Sequence, residues 1–322
     1  MSKCALEASY CIFPQQGEDS FAVRTKAQKS ILCVADGCGG LGSRRYDKLN
    51  AHTGAYLAAK LAVNAFTGWA EEQAALPRSA PEGRALCTEL EGDLQEVLQA
   101  FARRNCEDGE GTRIVGSMQR LLPTTLSAVI AQRRPDAGTD CFFLWAGDSR
   151  GYVLDGGGLH QCTRDDLRGD PDALESLYRD VPLSNLLSAD QPVRLNLRLL
   201  STQAPCLLIC ATDGAYGCLP TPMEFEMLLL STMLAADCVE NWQEKLEIAL
   251  SKLAHDDATV LGALCGFESY QQMKQLLAPR REALRRAFIT PVRKSGQSLE
   301  LARERWGEYR KGYDWGLRHE NR

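Results

Sequence analysis

ILCVADGCGG, residues 31–40, carries an unbroken apolar stretch into an aspartate and three glycines. Ile31 to Ala35 is short, partly β-branched and apolar at every position, which reads as a strand buried on both faces. Asp36 falls at its end, and Gly37, Gly39 and Gly40 leave room for something to approach the backbone closely. Alone, D-G-x-G-G also suits a tight turn with a capping aspartate. Repetition decides between the two. PCLLICATDG (205–214) runs into Asp213 and CFFLWAGDSR (141–150) into Asp148; in HDDATVLGAL (255–264) Asp256 and Asp257 directly precede a strand pattern, and Glu18 and Asp19 precede the strand-like Ser20–Thr25. Carboxylates gathered at strand ends without matched Lys or Arg repel each other unless cations neutralise them, so the pattern implies a divalent-metal site.

The donor chemistry narrows the metal. The four histidines (52, 160, 255 and 319) include no H-x-x-x-H pair and the thirteen cysteines no C-x-x-C pair, which excludes the usual zinc sites. Ligation by carboxylates, a glycine carbonyl and water suits Mg²⁺ or Mn²⁺. Two such ions roughly 3.5 to 4 Å apart hold a bridging hydroxide and clamp a phosphoryl group during in-line attack. The glycines then make room for phosphate and hydrated ions against bare backbone.

Glu18-Asp19, D-G-x-G-G at 36–40, P-T-T-L at 123–126, G-D-S-R at 147–150, T-D-G at 212–214 and D-D-A-T at 256–259 resemble, in order and spacing, the motifs of the metal-dependent protein phosphatases of type 2C, in a bacterial style. The resemblance covers residues 1 to about 267. It implies an α+β fold, a four-layer α-β-β-α sandwich of two mainly antiparallel sheets, that removes phosphate from Ser and Thr of proteins. It also implies that Asp36 bridges two Mn²⁺ or Mg²⁺ ions, with the Gly37 carbonyl on the second. Asp213 and Asp256 would complete the first ion, Glu18 and Asp19 would serve the second, and Asp148 would stand beside a weaker third. The expected substrate is a phosphorylated protein, the target of a Ser/Thr kinase.

The sequence also departs from the family pattern. The phosphate-gripping Arg common five residues before the acid matching Asp19 is here Pro14, which removes a bidentate clamp. The second aspartate common four residues after the one matching Asp213 is here Gly217, which puts the third ion in doubt. Cys38 stands where some relatives have a His, and Asp257 replaces a usual Asn, adding a negative charge or a further ligand. Arg44 and Arg45, just beyond the glycine turn, are candidates to replace the missing Arg, with Arg24 and Lys26 behind them; the alternative is a pair of solvated surface arginines. Cys38 is best read as inert, since neighbouring carboxylates oppose thiolate formation. A degenerate phosphatase fold kept as a regulatory or binding subunit stands as the alternative function, and a phosphorylated small molecule as a narrower enzymatic one.

Hydrophobic residues at 44% and charged ones at 25% of 322 positions describe an ordinary folded chain with one large core and an appendage. No stretch approaches the roughly 20 apolar residues of a membrane span, MSKCALEASYC lacks a signal core, and the thiols form no disulfide framework, so a reducing cytoplasm is expected. Helices are expected around 55–66 and 86–101, with EEQAALPRSAPEGR as a loop between them, and around 222–235 and 238–254. Strands are expected at 125–133, 141–147, 151–155, 158–163, 193–201 and 205–211. The polar segment 164–192 lies where bacterial relatives carry a flap; a plain surface loop is the alternative.

Residues 1–267 thus read as the catalytic domain and 268–322 as a basic, aromatic extension, helical or irregular. The extension holds thirteen Lys and Arg against seven Asp and Glu, in a chain whose net charge is −5. A helical stripe begins at Tyr270, Pro291, Ser295 and Gly296 break it, and aromatics follow at 306, 309, 313 and 315. Nucleic-acid binding is disfavoured, because no recognised module accompanies the charge. The remaining readings are an electrostatic fit onto the acidic remainder of the chain, or a docking site for a protein partner built on Trp, Tyr and Arg.

Overall fold

The computed structural model describes residues 5–14, 16–26, 28–106, 119–136, 138–203, 205–314 and 317. The chain order is β1 (Ala5–Tyr10), β2 (Ser20–Lys26), β3 (Lys29–Ala35), the short β4 (Arg45–Tyr46) and β5 (His52–Thr53), then α1 (Gly54–Glu72) and α2 (Ala80–Asn105). A meander of β6 (Leu126–Arg133), β7 (Thr139–Ala146), β8 (Arg150–Asp155) and β9 (Gly158–Gln161) leads through segment 164–192 to β10 (Asn196–Thr202) and β11 (Cys206–Ala211). The one-turn α3 (Asp213–Tyr216), α4 (Pro222–Leu234), α5 (Val239–Leu253) and β12 (Ala258–Cys265) follow, and α6 (Tyr270–Leu284), α7 (Thr290–Lys294) and α8 (Leu299–Tyr313) close the chain.

Two five-stranded sheets, ordered β1-β12-β11-β8-β9 and β10-β7-β6-β3-β2, pair antiparallel throughout. Leu32, Val34, Phe143, Val153, Leu208 and Leu261 pack between them. Because alternate strand residues face opposite ways, Ile31, Cys33 and Ala35 point to the other side, where α1 and α2 cover the second sheet through Ala59, Phe66, Leu90 and Leu94. Helices α4 and α5 cover the first sheet through Phe225, Leu229, Trp242 and Leu246. Every layer expected from the sequence is present.

Among the differences from the sequence expectation, three bear on the architecture. Strand β1 was not anticipated: ALEASY buries only Ala5, Leu6 and Ala8, and its partner β12 lies some 250 residues on, with Ala5 opposite Ala263 and Tyr10 opposite Ala258. Helix α2 starts at Ala80, inside the stretch expected to be loop, because Ser79 caps it, accepting from the Glu82 N–H at 3.4 Å, and Glu82 reaches back to the Arg78 N–H at 2.9 Å. Pro81 sits in its first turn, where its missing N–H costs nothing. In the C-terminal extension the helix continues through Pro291, carried by a π-helical segment over Arg285–Ile289, and breaks at Gly296, whose φ is +71°.

The extension lies on its own chain. Met273, Leu277, Leu284, Ile289, Trp306, Tyr309 and Tyr313 belong to the same core cluster as Tyr152, Leu159 and Phe225. Its cations are engaged too: Arg280 meets Glu226, Arg293 meets Glu224, and Arg310 meets Asp172 and Asp314. Trp306, Tyr309 and Tyr313, read above as partner anchors, are therefore buried within this chain; Trp315 lies outside the described residues. Among the described residues no helix is long and apolar enough to cross a membrane.

Candidate metal centre

The acids meet where strands of both sheets end. Asp36 leaves β3, and two bonds hold its backbone: its N–H donates to Thr125 Oγ1 at 3.0 Å and its carbonyl accepts from the Thr125 N–H at 2.8 Å. Thr125 in turn shares a 2.7 Å hydrogen bond with Ser149, so P-T-T-L and G-D-S-R brace the D-G-x-G-G turn. Gly147 bends the chain between β7 and Asp148 at φ +93°, and a side chain there would strike Thr125. The glycine turn itself is tight: the Gly37 N–H donates to the Glu18 carbonyl at 3.2 Å, and a Cβ on Gly39 would overlap the Glu18 carboxylate.

Electrostatics show which carboxylates are neighbours. Burial, then Asp213, Asp19 and Asp148, push Asp36 well above the usual carboxylate range. Asp19 is pushed up to about 7 by burial, with Asp213 and Asp257 adding to it against hydrogen bonds from Thr259 and Thr212. Asp148 is pushed up to about 8 by burial, then by Asp213 and Asp165. Glu18 is raised by burial, with a hydrogen bond from Thr53 and the Arg45 charge working the other way, and Asp256 by partial desolvation, then Asp213 and Asp257. The Cys38 thiol, raised well above its ordinary value by burial and then by Asp36 and Asp148, stays protonated.

The carboxylates are gathered but not closed. Among the described residues no three His, Cys, Asp or Glu side chains form a ready-made metal cage, although Asp36 and Asp213 share a side-chain hydrogen bond. Asp19 shows what the pocket lacks. Its Oδ2 accepts from the Thr212 hydroxyl at 2.8 Å and the Thr259 hydroxyl at 2.6 Å, whereas Oδ1 is buried with no hydrogen-bond partner. A buried carboxylate oxygen is stabilised only by a donor or a cation, and carboxylate and hydroxyl oxygens lie around it. The residues fit a pair of hard divalent ions.

Other residues act on the frame. Asp257 spends both oxygens on backbone N–H groups, Ile12 at 2.9 Å and Glu18 at 2.7 Å, and so ties the β1–β2 loop to β12. Arg44 lies over the Tyr46 ring, 5.1 Å from its centroid, and Arg45 donates to the Ala51 carbonyl at 2.9 Å. Arg150 is buried and grips Asp165 through two nitrogens, with Nη2 to Oδ2 at 2.6 Å, while its guanidinium lies 3.9 Å from the Tyr216 centroid. The Tyr216 hydroxyl donates to the Asp148 carbonyl at 2.7 Å, and Asp166 brackets Gly147 by accepting its N–H at 3.1 Å and donating its own to the Gly147 carbonyl at 3.0 Å. The sequence reading missed Thr53, Thr212, Thr259, Tyr216 and Asp165. Thr212 and Thr259 sat inside quoted motifs, T-D-G and D-D-A-T, and that was the available signal.

The protein phosphatase 2C profile matches residues 14–251. The chain belongs to the protein phosphatase 2C family. No curated protein matches it. Solved structures of the same fold include the serine/threonine phosphatase Stp1 from Staphylococcus aureus, at 17% identity and a TM-score of 0.59 over 82% of this chain and 95% of that one. The catalytic domain of the serine threonine protein phosphatase PstP in complex with two manganese ions matches at 20% identity and a TM-score of 0.53, over 81% of this chain and 96% of that one. PppA, a regulatory component of the type VI secretion system in Pseudomonas aeruginosa, matches at 21% identity and 0.53, over 82% and 99%. The phosphatase 2C match begins at Pro14 and ends within α5, so β1, β12 and the C-terminal helices lie outside it.

Proposed function

We propose that this phosphatase 2C member is a metal-dependent protein Ser/Thr phosphatase using two Mn²⁺ or Mg²⁺ ions, and that it reverses the action of a Ser/Thr kinase on a phosphorylated protein in the cytoplasm. The observation that carries the reading is the half-satisfied, buried Asp19 carboxylate within a group of acids that raise one another's pKa values. Asp36 would lie between the ions, with the Gly37 carbonyl on one side; Asp213 and Asp256 would serve one ion, and Glu18 and Asp19 the other. Asp148 would serve a third only weakly, because position 217 is glycine. Bound there, the ions supply an activated water and neutralise charge on the phosphoryl oxygens.

The chain's own residues do the orienting. Thr212 and Thr259 fix the rotamer of Asp19, and Thr53, the N-cap of α1, donates to Glu18. The Thr125–Ser149 bond keeps Asp36 and Asp148 in register. The test is hydrolysis of p-nitrophenyl phosphate and of a phosphothreonine peptide with Mn²⁺, against EDTA and Asp213→Ala. Turnover lost in both controls supports the reading; a folded, Mn²⁺-binding protein with no turnover on either substrate overturns it in favour of a regulatory or binding subunit.

A further inference from the structure

A cleft of about 200 Å³ opens beside Asp19, walled by Tyr10, Cys11, Asp257 and two residues of α1, Tyr56 and Lys60. It is smaller than the roughly 300 Å³ at which drug-sized pockets begin, and its size suits a phosphoryl group on a side chain. Tyr56 and Lys60 are one helical turn apart and share a face. The Lys60 ammonium stands 4.5 Å from the Tyr56 ring centroid, and His52 stacks on the same ring at 3.8 Å with the planes 5° apart. The stack of His52, Tyr56 and Lys60 fixes the direction of the lysine.

Lys60 makes no hydrogen bond or ion pair among the described residues. The two carboxylates in the cleft are committed elsewhere: Asp257 to the Ile12 and Glu18 N–H groups, and Asp19 to two threonines through Oδ2, with Oδ1 left for an ion. Neither Arg44 nor Arg45 lines the cleft, and position 14 offers a proline in place of a cation. Lys60 is partly buried; an ammonium lining a cleft whose acids are already taken is a site for an anion brought from outside, and a lysine grips phosphate as a point charge with three donors.

We propose that Lys60 is the residue that positions the substrate phosphoryl group in this protein, a role that rests on the phosphatase reading above. It donates to a non-bridging phosphoryl oxygen. In the hydrolysis itself a water oxygen bonds to phosphorus as the ester oxygen–phosphorus bond breaks, and the released serine or threonine oxygen takes the proton the water gives up. Lys60 is outside that transfer.

The experiment compares wild type, Lys60→Gln and Lys60→Arg for KM and kcat on a phosphothreonine peptide with Mn²⁺, and for binding of inorganic phosphate and of Mn²⁺ alone by calorimetry. The expected result is a rise of about tenfold or more in both KM and the phosphate Kd for Lys60→Gln, the loss of one hydrogen bond to a charged group. Lys60→Arg should recover most of it, and Mn²⁺ affinity should stay unchanged. An unchanged phosphate Kd and KM in Lys60→Gln overturns the proposal while leaving an active wild type, and hence the phosphatase reading, intact. An inactive wild type overturns that reading first; the phosphate titration then still decides whether Lys60 holds an anion.

Discussion

The carboxylate that seats the C-terminal helices gives a quantitative test of how they are joined to the sandwich. Glu226 of α4 has a side chain with 0% exposure; Oε1 accepts from Arg280 Nε at 2.6 Å, and Oε2 accepts from Arg280 Nη2 at 2.8 Å and from the Tyr309 hydroxyl at 2.6 Å. Arg280 belongs to α6 and Tyr309 to α8, so one buried acid holds both. Arg280→Met keeps most of the side-chain volume and leaves the acid with one neutral donor, which costs about 3–5 kcal/mol. Glu226→Leu with Arg280→Met removes both charges. Such a replacement is neutral or stabilising by about 1–4 kcal/mol, against about 1–3 kcal/mol for the stranded Tyr309 hydroxyl. The double variant should therefore lie within about 3 kcal/mol of wild type by these ranges. Urea unfolding followed by tryptophan fluorescence and by circular dichroism reads the three proteins, and coincident transitions establish that the helices unfold with the core. An Arg280→Met cost below about 1 kcal/mol, or a double variant as unstable as the single, would refute the idea that this pair seats the extension.

Three further outcomes follow from the same contacts. His160 faces two acceptors, Asp155 Oδ1 at 3.1 Å from Nε2 and the Gly312 carbonyl at 2.7 Å from Nδ1; burial lowers its pKa but Asp155 and Gly312 outweigh it, so the folded value lies above the unfolded one near 6.5. Its contribution is therefore full below pH 6.5 and fades as pH rises through the folded value, and urea midpoints between pH 6 and 9 should fall in wild type more steeply than in His160→Gln. Gly214→Ala places a Cβ onto the Asp257 carbonyl, so the Asp213 turn must shift; kcat with Mn²⁺ should drop about 100-fold, the cost of a displacement of order 1 Å. Asp19→Asn removes a carboxyl whose pKa is pushed up to about 7 by burial and then by Asp213 and Asp257, so Tm in EDTA should rise. The Mn²⁺-induced stabilisation of wild type, about 2.7 kcal/mol at 100 times Kd, should shrink in that variant; a lower Tm in EDTA would contradict the reading of Asp19 as a strained ion ligand.

The architecture was legible because its signals are local. An apolar strand and the acid at its end are neighbours in sequence, so five such events announced both the sheets and the convergence of Asp36, Asp148, Asp213, Asp256 and Glu18-Asp19. What stayed hidden depends on distance. ALEASY has no intrinsic strength as a strand and becomes one because β12 accepts it from the far end of the chain. The amphipathic stripe of the extension was visible, but a stripe does not say what it will cover. Burying Trp306, Tyr309 and Tyr313 on its own sandwich requires Glu226, Asp172 and the Gly312–His160 contact to be in place, and those are polar partners 54 to 152 residues away. The same logic explains the missed threonines. Thr212 and Thr259 lie 47 residues apart and meet only because β11 and β12 pair, and their two hydroxyls converging on one oxygen of Asp19 is what leaves the other oxygen buried without a hydrogen-bond partner.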